Sequence, residues 1–393
     1  MSLFLFTSIS NNKTKNNRLW LLVWVSTVVV LSGSLCAVTA YFDPYFHYHK
    51  PHIDKFFYTL DNQRSQNDGI IKNFDYEMII TGTSMTENFK TSEADALFGC
   101  RSIKVPYEGG SFKEINDNLK LALASNPNIK IIIRSLDSYI FVNDKDDMRT
   151  DLGVYPTYLY DANPINDIEY LLNRDVIYKR IWGMVKMRND GMEPGITSFD
   201  NYSNWMKNYT YGPKAVRFTV FHDEEGKFEY SNQTEYLTEE EKRTIRGTVE
   251  QNITSLADQY PNTVFCYFFP PYSSAYWGLL RQQGKLRKQA EIEEYALSLI
   301  VPHHNIHMYG WDCTDLVSDY NNYKDYNHYA EWVNSWILKA IKNEEGRITE
   351  DNYKDYMEKF FNYYIDFDYN TLFEQEDYED DYYQETIFWE SNY

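Results

Sequence analysis

From residue 76 onward, short apolar runs alternate with longer amphipathic stretches, and this alternation restricts the chain to few folds. The runs "IKIIIRSL" and "TVFCYFF" are almost continuously apolar and rich in β-branched and aromatic residues, which is typical of strands buried on both faces. The predicted strands are 76–81, 101–105, 129–136, 263–269 and 305–309, and the predicted helices are 84–97, 111–124, 238–260 and 275–299. The pattern predicts a parallel sheet with helices on both faces, which is a three-layer α/β architecture.

One interval, 140–236, interrupts this alternation. It is rich in Tyr, Asn and Asp, and it contains the breakers "EPG" and "YGP". An interval of this length is too long for a plain loop in a compact domain. We therefore expect an inserted subdomain near the carboxyl edge of the sheet, within an α/β domain that covers residues 75–345.

Residues 19–42 contain no charged residue and no histidine. At about 1.5 Å per residue, a helix of this length can cross the roughly 30 Å hydrocarbon core of a bilayer. The segment is therefore predicted to be a transmembrane anchor. A secretory signal peptide, cleaved near the small residues Val38-Thr39-Ala40, is the alternative.

The charges that flank this segment predict its orientation. Basic residues at positions 13, 15 and 18 precede it, and Asp43 follows it. By the positive-inside rule, residues 1–18 stay in the cytoplasm. The juxtamembrane segment 43–74 and the α/β domain are then extracytoplasmic.

The chain is acidic, with 38 Lys and Arg against 58 Asp and Glu and a formal net charge of −20. A surface this negative repels phosphate backbones, so no nucleic-acid partner is expected. Half of the net charge falls in the last 34 residues, within a tail, 346–393, that is acidic and rich in tyrosine. The tyrosines could dock this tail on the domain, and the charge alone would favour disorder.

The cysteines and histidines predict neither a disulfide framework nor a metal site. Outside residues 19–42 there are three cysteines without close spacing, Cys100, Cys266 and Cys313, which we expect to be buried thiols. The histidines at 47, 49 and 52 and those at 303, 304 and 307 lack the carboxylate or cysteine patterns of metal sites. No metal and no cofactor is expected.

Ser84 lies just beyond the first predicted strand, in "IITGTSMTENF". In an open parallel sheet, ligands bind beyond the carboxyl ends of the strands, at the switch in strand order. Gly82 permits a sharp turn there, and the following helix offers free N–H groups. Ser84 is therefore a candidate nucleophile. Helix capping is the alternative, because serine is a common N-cap residue.

Asp325 and His328 lie three residues apart in "YKDYNHYAEW", after the last predicted strand. A histidine in this position could take the proton of a serine hydroxyl, and the carboxylate could orient the imidazole. A helix cap and a solvated loop residue are the alternative interpretation of this pair.

With serine after the first strand and D-x-x-H after the last, residues 75–342 resemble the SGNH (GDSL-type) hydrolase and acyltransferase superfamily. The matching blocks are "TGTSMTENF", "VPYEGGSFKEI" and "DYNH". The resemblance implies a flavodoxin-like three-layer sheet. It also implies that Ser84 is the nucleophile, His328 the general base and Asp325 its orienting partner.

The resemblance implies an oxyanion hole whose third donor is either missing, replaced, or supplied by the insertion. The backbone N–H groups of Ser84 and of Gly109 or Gly110 would contribute to it. The family pattern has Asp or Asn before the serine, where this chain has Thr83. The family's asparagine after the third strand is not evident, because "IRSLDSYIF" offers Arg134, Asp137 and Ser138 instead, and an ionised Asp137 would repel the oxyanion. Each missing oxyanion donor lowers the rate by about 10²- to 10³-fold.

An outward-facing, membrane-tethered domain of this kind is similar to the polysaccharide O-acetyltransferases, O-acetyl esterases and D-alanyl transfer proteins of bacterial envelopes. The resemblance implies acyl transfer or acyl-ester hydrolysis on an envelope or exported polysaccharide. Asp137 and the aromatic residues Tyr272, Tyr276 and Trp277 are candidates for lining the substrate cleft.

A non-catalytic subunit is the alternative function. In this hypothesis the chain has the same fold but no catalytic activity, and its cleft serves as a binding site for a multi-spanning membrane acyltransferase. The absence of the third-block asparagine motivates it.

Overall fold

The computed structural model describes residues 3–151, 155–161, 163–222 and 226–378, with the backbone alone for residues 3–16. The chain forms two compact units. One comprises Met1–Thr59 and Pro156–Ile196, and the other comprises Leu60–Tyr155 and Thr197–Tyr393. The interval 140–236, predicted to be one insertion, is thus divided between the two units.

The larger unit contains a six-stranded sheet. Its strands are β1 (Met78–Gly82), β2 (Ser102–Pro106), β3 (Ile131–Ser135), β4 (Val264–Phe268), β5 (Ile306–Tyr309) and β6 (Arg347–Ile348). Their spatial order is β2-β1-β3-β4-β5-β6, and all neighbours are parallel except the last pair. The first five strands follow the 2-1-3-4-5 order of flavodoxin-type sheets.

The predicted α/β class and parallel sheet are confirmed. Each of the five predicted strands is observed, shortened or shifted by one or two residues. β1 and β2 are buried along their whole length, and β3 and β4 are buried at all but their first residue. This burial on both faces explains why the strands read as continuous apolar runs rather than as alternating ones.

The connections cover both faces of the sheet. The chain leaves β1 for its neighbour β2 and then returns across β1 to β3. Because such crossovers are right-handed, this reversal puts the first two connecting helices on opposite faces. The helices of the larger unit are α2 (Gln63–Asn73), α3 (Thr91–Phe98), α4 (Phe112–Ser125), α7 (Pro213–Phe221), α8 (Glu239–Val249), α9 (Ser255–Gln259), α10 (Ser274–Gln282), α11 (Leu286–Ile300), α12 (Asp315–Ser318), α13 (Glu331–Lys342), α14 (Tyr353–Asp366) and α15 (Thr371–Glu374).

Two predicted helices are interrupted. The one predicted at 84–97 is a single 3₁₀ turn, Ser84–Thr86, followed by α3. The one predicted at 275–299 divides into α10 and α11 at Gly284, which has a φ of +74°. That conformation suits glycine and ends the first helix. Both breaks were missed because the residues on the two sides of each break have similar compositions.

The C-terminal region contributes to the fold as far as residue 378. β6 pairs antiparallel with β5, and α14 packs on α10 and α11 through buried residues that include Phe360 and Tyr364. The aromatic residues of the tail thus explain why it packs on the α/β domain. The most acidic part of the tail, 379–393, lies outside the described residues.

The smaller unit begins with α1 (Leu3–Phe42), and it also contains α5 (Ile168–Leu171) and α6 (Trp182–Asn189). Within α1, Asn17–Phe42 is long and apolar enough to cross a membrane, with a mean hydropathy of 2.2. Phe57–Tyr58 pairs in parallel with Gly195–Ile196. Asp43 ends α1 and is fully buried, where it accepts hydrogen bonds from the backbone N–H groups of the next turn and from Tyr170.

Candidate active site

Ser84 follows the carboxyl end of β1, the strand at which the strand order reverses. Gly82 precedes it by two residues and has a φ of +148°. A Cβ atom at this glycine would lie 2.2 Å from Ser135 Oγ, so no larger residue fits without movement. Thr83 then caps the 3₁₀ turn that begins with Ser84. The sequence at the end of β1 therefore produces a tight turn that presents a partly exposed serine.

Ser84, His328 and Asp325 form a chain of hydrogen bonds. Ser84 Oγ lies 2.9 Å from His328 Nε2, and His328 Nδ1 lies 2.8 Å from Asp325 Oδ2. A carboxylate on Nδ1 keeps the proton on that nitrogen, so Nε2 is free to accept the proton of the serine hydroxyl. Ser84 lies more than 240 positions before Asp325 and His328, and the fold brings the three side chains together.

The loop that carries Asp325 and His328 is shaped by its own hydrogen bonds. Tyr323 and Tyr329 form an antiparallel bridge at its base, and the Lys324 N–H donates to the His328 carbonyl over 3.1 Å. Asp325 Oδ1 accepts the backbone N–H groups of Asn327 and His328 at 2.9 and 2.7 Å. The spacing D-x-x-H thus positions both side chains within one turn.

These contacts keep Asp325 ionised. Burial by itself raises the pKa of Asp325, but the hydrogen bond and the charge of His328, together with the two backbone N–H groups, outweigh it. The net result is a pKa below the ordinary value of 3.8. An ionised carboxylate at this point can stabilise an imidazolium.

Two buried side chains connect this loop to the residue after the serine. Tyr329 OH and Asn334 Nδ2 both donate to the carbonyl of Met85, over 3.2 and 3.0 Å. Both follow His328 closely in the chain, but no sequence motif marks them. These two bonds fix the position of the histidine loop relative to the serine turn.

Asp137, at the end of β3, lies beneath the serine turn. It is 1% exposed and accepts hydrogen bonds from Thr83 Oγ1 at 2.8 Å and from Tyr272 OH at 2.7 Å. Burial raises the pKa of Asp137, and the bonds from Tyr272 and Thr83 only partly offset that effect. Its carboxylate oxygens point into this buried network, so Asp137 supports the turn that carries Ser84.

Of the four candidates for a substrate cleft, only Tyr276 is partly exposed. Asp137, Tyr272 and Trp277 are buried, and Trp277 packs against Phe360 and Tyr364. A substrate could not contact these three side chains directly. The expectation that they line a cleft is corrected: the segment after β4 turns Tyr272 and Trp277 into the core, and Asp137 is buried beneath the serine turn.

The two glycines proposed for the oxyanion hole differ in their backbone bonds. The Gly110 N–H donates to the Tyr107 carbonyl over 2.7 Å and is committed to a turn. Within the described parts of the chain, neither Ser84 N–H nor Gly109 N–H has a hydrogen-bond acceptor. Gly109 has a φ of +55° and lies under the guanidinium of Arg149. Ser84 and Gly109 therefore remain the candidate donors.

Trp205 lies beside the imidazole, although no sequence pattern indicated it. Its ring meets His328 edge to face at a centroid distance of 5.8 Å. Lys324 Nζ lies 4.2 Å from the Trp205 ring centroid and 3.7 Å from that of Tyr209. The Lys324 side chain is half-buried, and this partial burial lowers the pKa of its ammonium group. The segment 205–209 thus contributes two aromatic rings next to the candidate site, and the Lys324 ammonium lies against both.

Two buried ionisable groups lie under the same turn. Burial raises the pKa of Glu87 to about 7, and Gln63 Nε2 donates to its carboxylate. Burial lowers the pKa of Lys104 to about 7. The Lys104 ammonium donates to the backbone carbonyls of Glu87 and Phe89, which ties β2 to the segment that follows Ser84.

The remaining candidates have structural roles. Ser111 forms a capping box with Glu114 at the start of α4. Cys100 and Cys266 are buried thiols and Cys313 is partly buried, all unpaired. Among the described residues, no group of three or more His, Cys, Asp or Glu side chains could hold a metal ion.

Comparison with known proteins adds little to this geometry. No family model matches the chain, and no curated protein matches it. A solved structure from Streptococcus pneumonia, provisionally described as that of a platelet activating factor, is similar over 72% of this chain and 90% of its own, with 12% identity and a TM-score of 0.35. A TM-score this low does not establish a shared fold, so nothing about activity follows from it.

Proposed function

We propose that this chain is an SGNH-type serine hydrolase or O-acyltransferase, anchored in a membrane and acting on an acylated envelope or exported polysaccharide. The observation that carries the proposal is the chain of hydrogen bonds from Ser84 Oγ through His328 to Asp325, at 2.9 and 2.8 Å. The strand order and the place of each residue support the SGNH assignment. Ser84 follows β1 and the D-x-x-H segment follows β5.

In the proposed reaction, Ser84 Oγ attacks the acyl carbon of an ester while its proton passes to His328 Nε2. The negative charge that develops on the carbonyl oxygen is stabilised by the N–H groups of Ser84 and Gly109. The tetrahedral intermediate collapses, and the leaving alcohol takes the proton from His328. A water molecule or a sugar hydroxyl then gives its proton to His328 and attacks the acyl-serine. The bond between Ser84 Oγ and the acyl carbon breaks, His328 returns the proton to Ser84 Oγ, and an acid or a new ester is released.

Membrane anchoring is supported by the packing of the end of α1. Thr39 Oγ1 donates to the Leu171 carbonyl over 2.9 Å, and the His49 ring lies 2.9 Å from the Ala40 carbonyl. Tyr58 OH donates to the carbonyl of Phe42 over 2.8 Å. Cleavage near residues 38–40 would remove the first of these contacts and cut into a folded unit. A retained anchor preserves them, and the basic residues before it favour an extracytoplasmic α/β domain.

The decisive experiment uses the full chain in detergent or nanodiscs. Wild-type protein should react with a fluorophosphonate probe and hydrolyse a soluble acetyl ester, and Ser84→Ala should do neither. Ser111→Ala is the matched control, because Ser111 also follows a strand at the same sheet edge but only caps a helix. Equal labelling of the wild type and Ser84→Ala would overturn the proposal.

A non-catalytic assembly subunit remains the second candidate. It is favoured by the commitment of the Gly110 N–H to a turn and by a buried carboxylate, that of Asp137, in place of the third-block asparagine. Both features reduce the number of oxyanion donors. A wild-type chain that never labels, yet copurifies with a multi-spanning membrane acyltransferase, would support this candidate and exclude the enzyme.

A further inference from the structure

The smaller unit exposes large aromatic and aliphatic side chains close to the end of the apolar helix. Tyr178 is 71% exposed and Trp182 is 65% exposed. Ile165 and Ile168, in the preceding turn and helix, are also more than half exposed. Side chains of this size at such exposure are unusual for a surface that faces only water.

These residues belong to a segment that packs directly against the last turns of α1. The Thr39 hydroxyl bonds to the Leu171 carbonyl, as noted above, and Tyr45 stacks on Tyr170 with ring centroids 5.3 Å apart. The guanidinium of Arg180 lies 5.9 Å from the centroid of the Tyr45 ring. The helical stretch from Val176 to Asn189 therefore starts beside residues 39–45.

The length of the apolar helix places this contact at the level of the lipid headgroups. Asn17–Phe42 contains 26 residues. At about 1.5 Å per residue this is roughly 39 Å, which exceeds the roughly 30 Å hydrocarbon core by about two turns. If the excess is shared between the two ends, the last turn of α1 lies in the headgroup layer, and so does the segment packed against it.

The exposed residues have the composition that this layer favours. Tyr178, Trp182 and Lys186 are spaced four residues apart, which brings them to one side of the helix. All three are exposed, whereas Val176, Ile181 and Met184 are buried within the unit. Tyrosine and tryptophan concentrate at membrane interfaces, and lysine there is attracted to anionic lipid.

We propose that the helical stretch Val176–Asn189 lies on the membrane surface beside the anchor, with Tyr178 and Trp182 among the headgroups and Lys186 near anionic lipid. This surface would contact the bilayer because it is continuous with the end of the spanning helix. The stretch would limit how the smaller unit tilts about the apolar helix.

Hydroxyl-radical footprinting of the full chain in lipid nanodiscs tests the proposal. Tyr236, in the other unit, is 62% exposed and is the matched control for Tyr178. Trp20, in the apolar span, is 68% exposed in the protein alone and serves as the lipid-protected reference for Trp182. We expect Tyr178 to be oxidised several-fold more slowly than Tyr236, and Trp182 to approach the protection of Trp20.

Two further comparisons separate this inference from the proposed function. Lys186→Glu should increase the oxidation of Tyr178 in nanodiscs that contain phosphatidylglycerol, with a smaller effect in phosphatidylcholine alone. Ser84→Ala should leave the footprint unchanged, because the site lies in the other unit. Oxidation of Tyr178 at the rate of Tyr236, or protection that appears only when another protein is added, would overturn the proposal.

Discussion

The hydroxyl of Thr83 donates a hydrogen bond to the buried carboxylate of Asp137 over 2.8 Å. Both residues belong to segments in which the sequence differs from the SGNH pattern, and they bond to each other. The departures are therefore a matched pair, in which a hydroxyl donor meets a carboxylate acceptor. The pair holds the residue before Ser84, so its effect on chemistry would pass through the position of the serine.

Asp137→Ala should reduce the free energy of unfolding by about 3 kcal/mol, because it leaves the Thr83 and Tyr272 hydroxyls buried without their acceptor. Asp137→Asn keeps one acceptor oxygen and should cost less. Urea denaturation followed by circular dichroism measures both. The exposed Asp147→Ala is the control. A loss below about 1 kcal/mol in Asp137→Ala would show that the network contributes little.

Glu87 should make the protein less stable as the pH rises from 5 toward 7.5. Burial raises the pKa of Glu87 from 4.5 to about 7, so the folded state binds the proton more tightly than the unfolded chain. The stability from this group is present below pH 4.5 and is lost as the pH passes 7, a change of about 3 kcal/mol. Burial lowers the pKa of Lys104 to about 7, so well below pH 7 Lys104 is protonated in both states. Near and above pH 7 the folded state alone releases that proton, and this partly opposes the loss.

The measurement is the free energy of unfolding at several pH values for the wild type and Glu87→Gln. The amide cannot ionise, so the difference between the two proteins should change with pH over this window. Parallel curves would mean that Glu87 does not titrate there.

Asp325→Asn should lower kcat by about 10⁴-fold with a small effect on KM, because the amide can no longer hold the proton on His328 Nδ1 or stabilise the imidazolium. Steady-state hydrolysis of an acetyl ester measures it. Asp315→Asn is the control, since Asp315 is exposed and only begins the short helix α12 nearby. Full activity in Asp325→Asn would remove Asp325 from the proposed mechanism.

Tyr329→Phe and Asn334→Leu should each cost about 1 kcal/mol of unfolding free energy, because each leaves the Met85 carbonyl with one donor. The double variant should cost more than the sum by about 1 kcal/mol, since the carbonyl is then buried without any partner. A double-mutant cycle in urea measures the coupling. Strict additivity would indicate that the two bonds do not share the same acceptor in solution.

Lys324→Met tests whether the cation beside the imidazole contacts substrate. Methionine keeps the packing on Trp205 and Tyr209 but removes the charge. For an acetyl ester that carries a carboxylate or phosphate, KM should rise by about tenfold or more, and for a neutral acetyl ester it should not change. Equal effects on the two esters would indicate that Lys324 serves packing alone.

Much of the fold was predictable because its signals are local. Strands buried on both faces and amphipathic helices leave their periodicity in the sequence, and β1 to β5 were recognised on that basis. The break at Gly284 and the two-residue strand β6 were missed, because a single glycine and a short edge strand produce no periodic signal.

The candidate site was predictable only in part. Ser84, Asp325 and His328 were proposed from their positions at strand ends, and their roles stay a proposal. Trp205 and Asn334 were not proposed, because no pattern marks a residue that acts by contacting another part of the chain.

Local periodicity and spacing specify the sheet, the apolar helix and the D-x-x-H turn, since each depends on neighbours within a few residues. Only the packed chain shows that Asp137 is buried under the serine turn and that the Tyr329 hydroxyl bonds to the Met85 carbonyl. It alone shows that the Gly110 N–H is used in a turn, whereas the Gly109 N–H has no acceptor among the described residues. Those facts depend on contacts between residues far apart in sequence, and such contacts are set by how the core closes and not by any one segment.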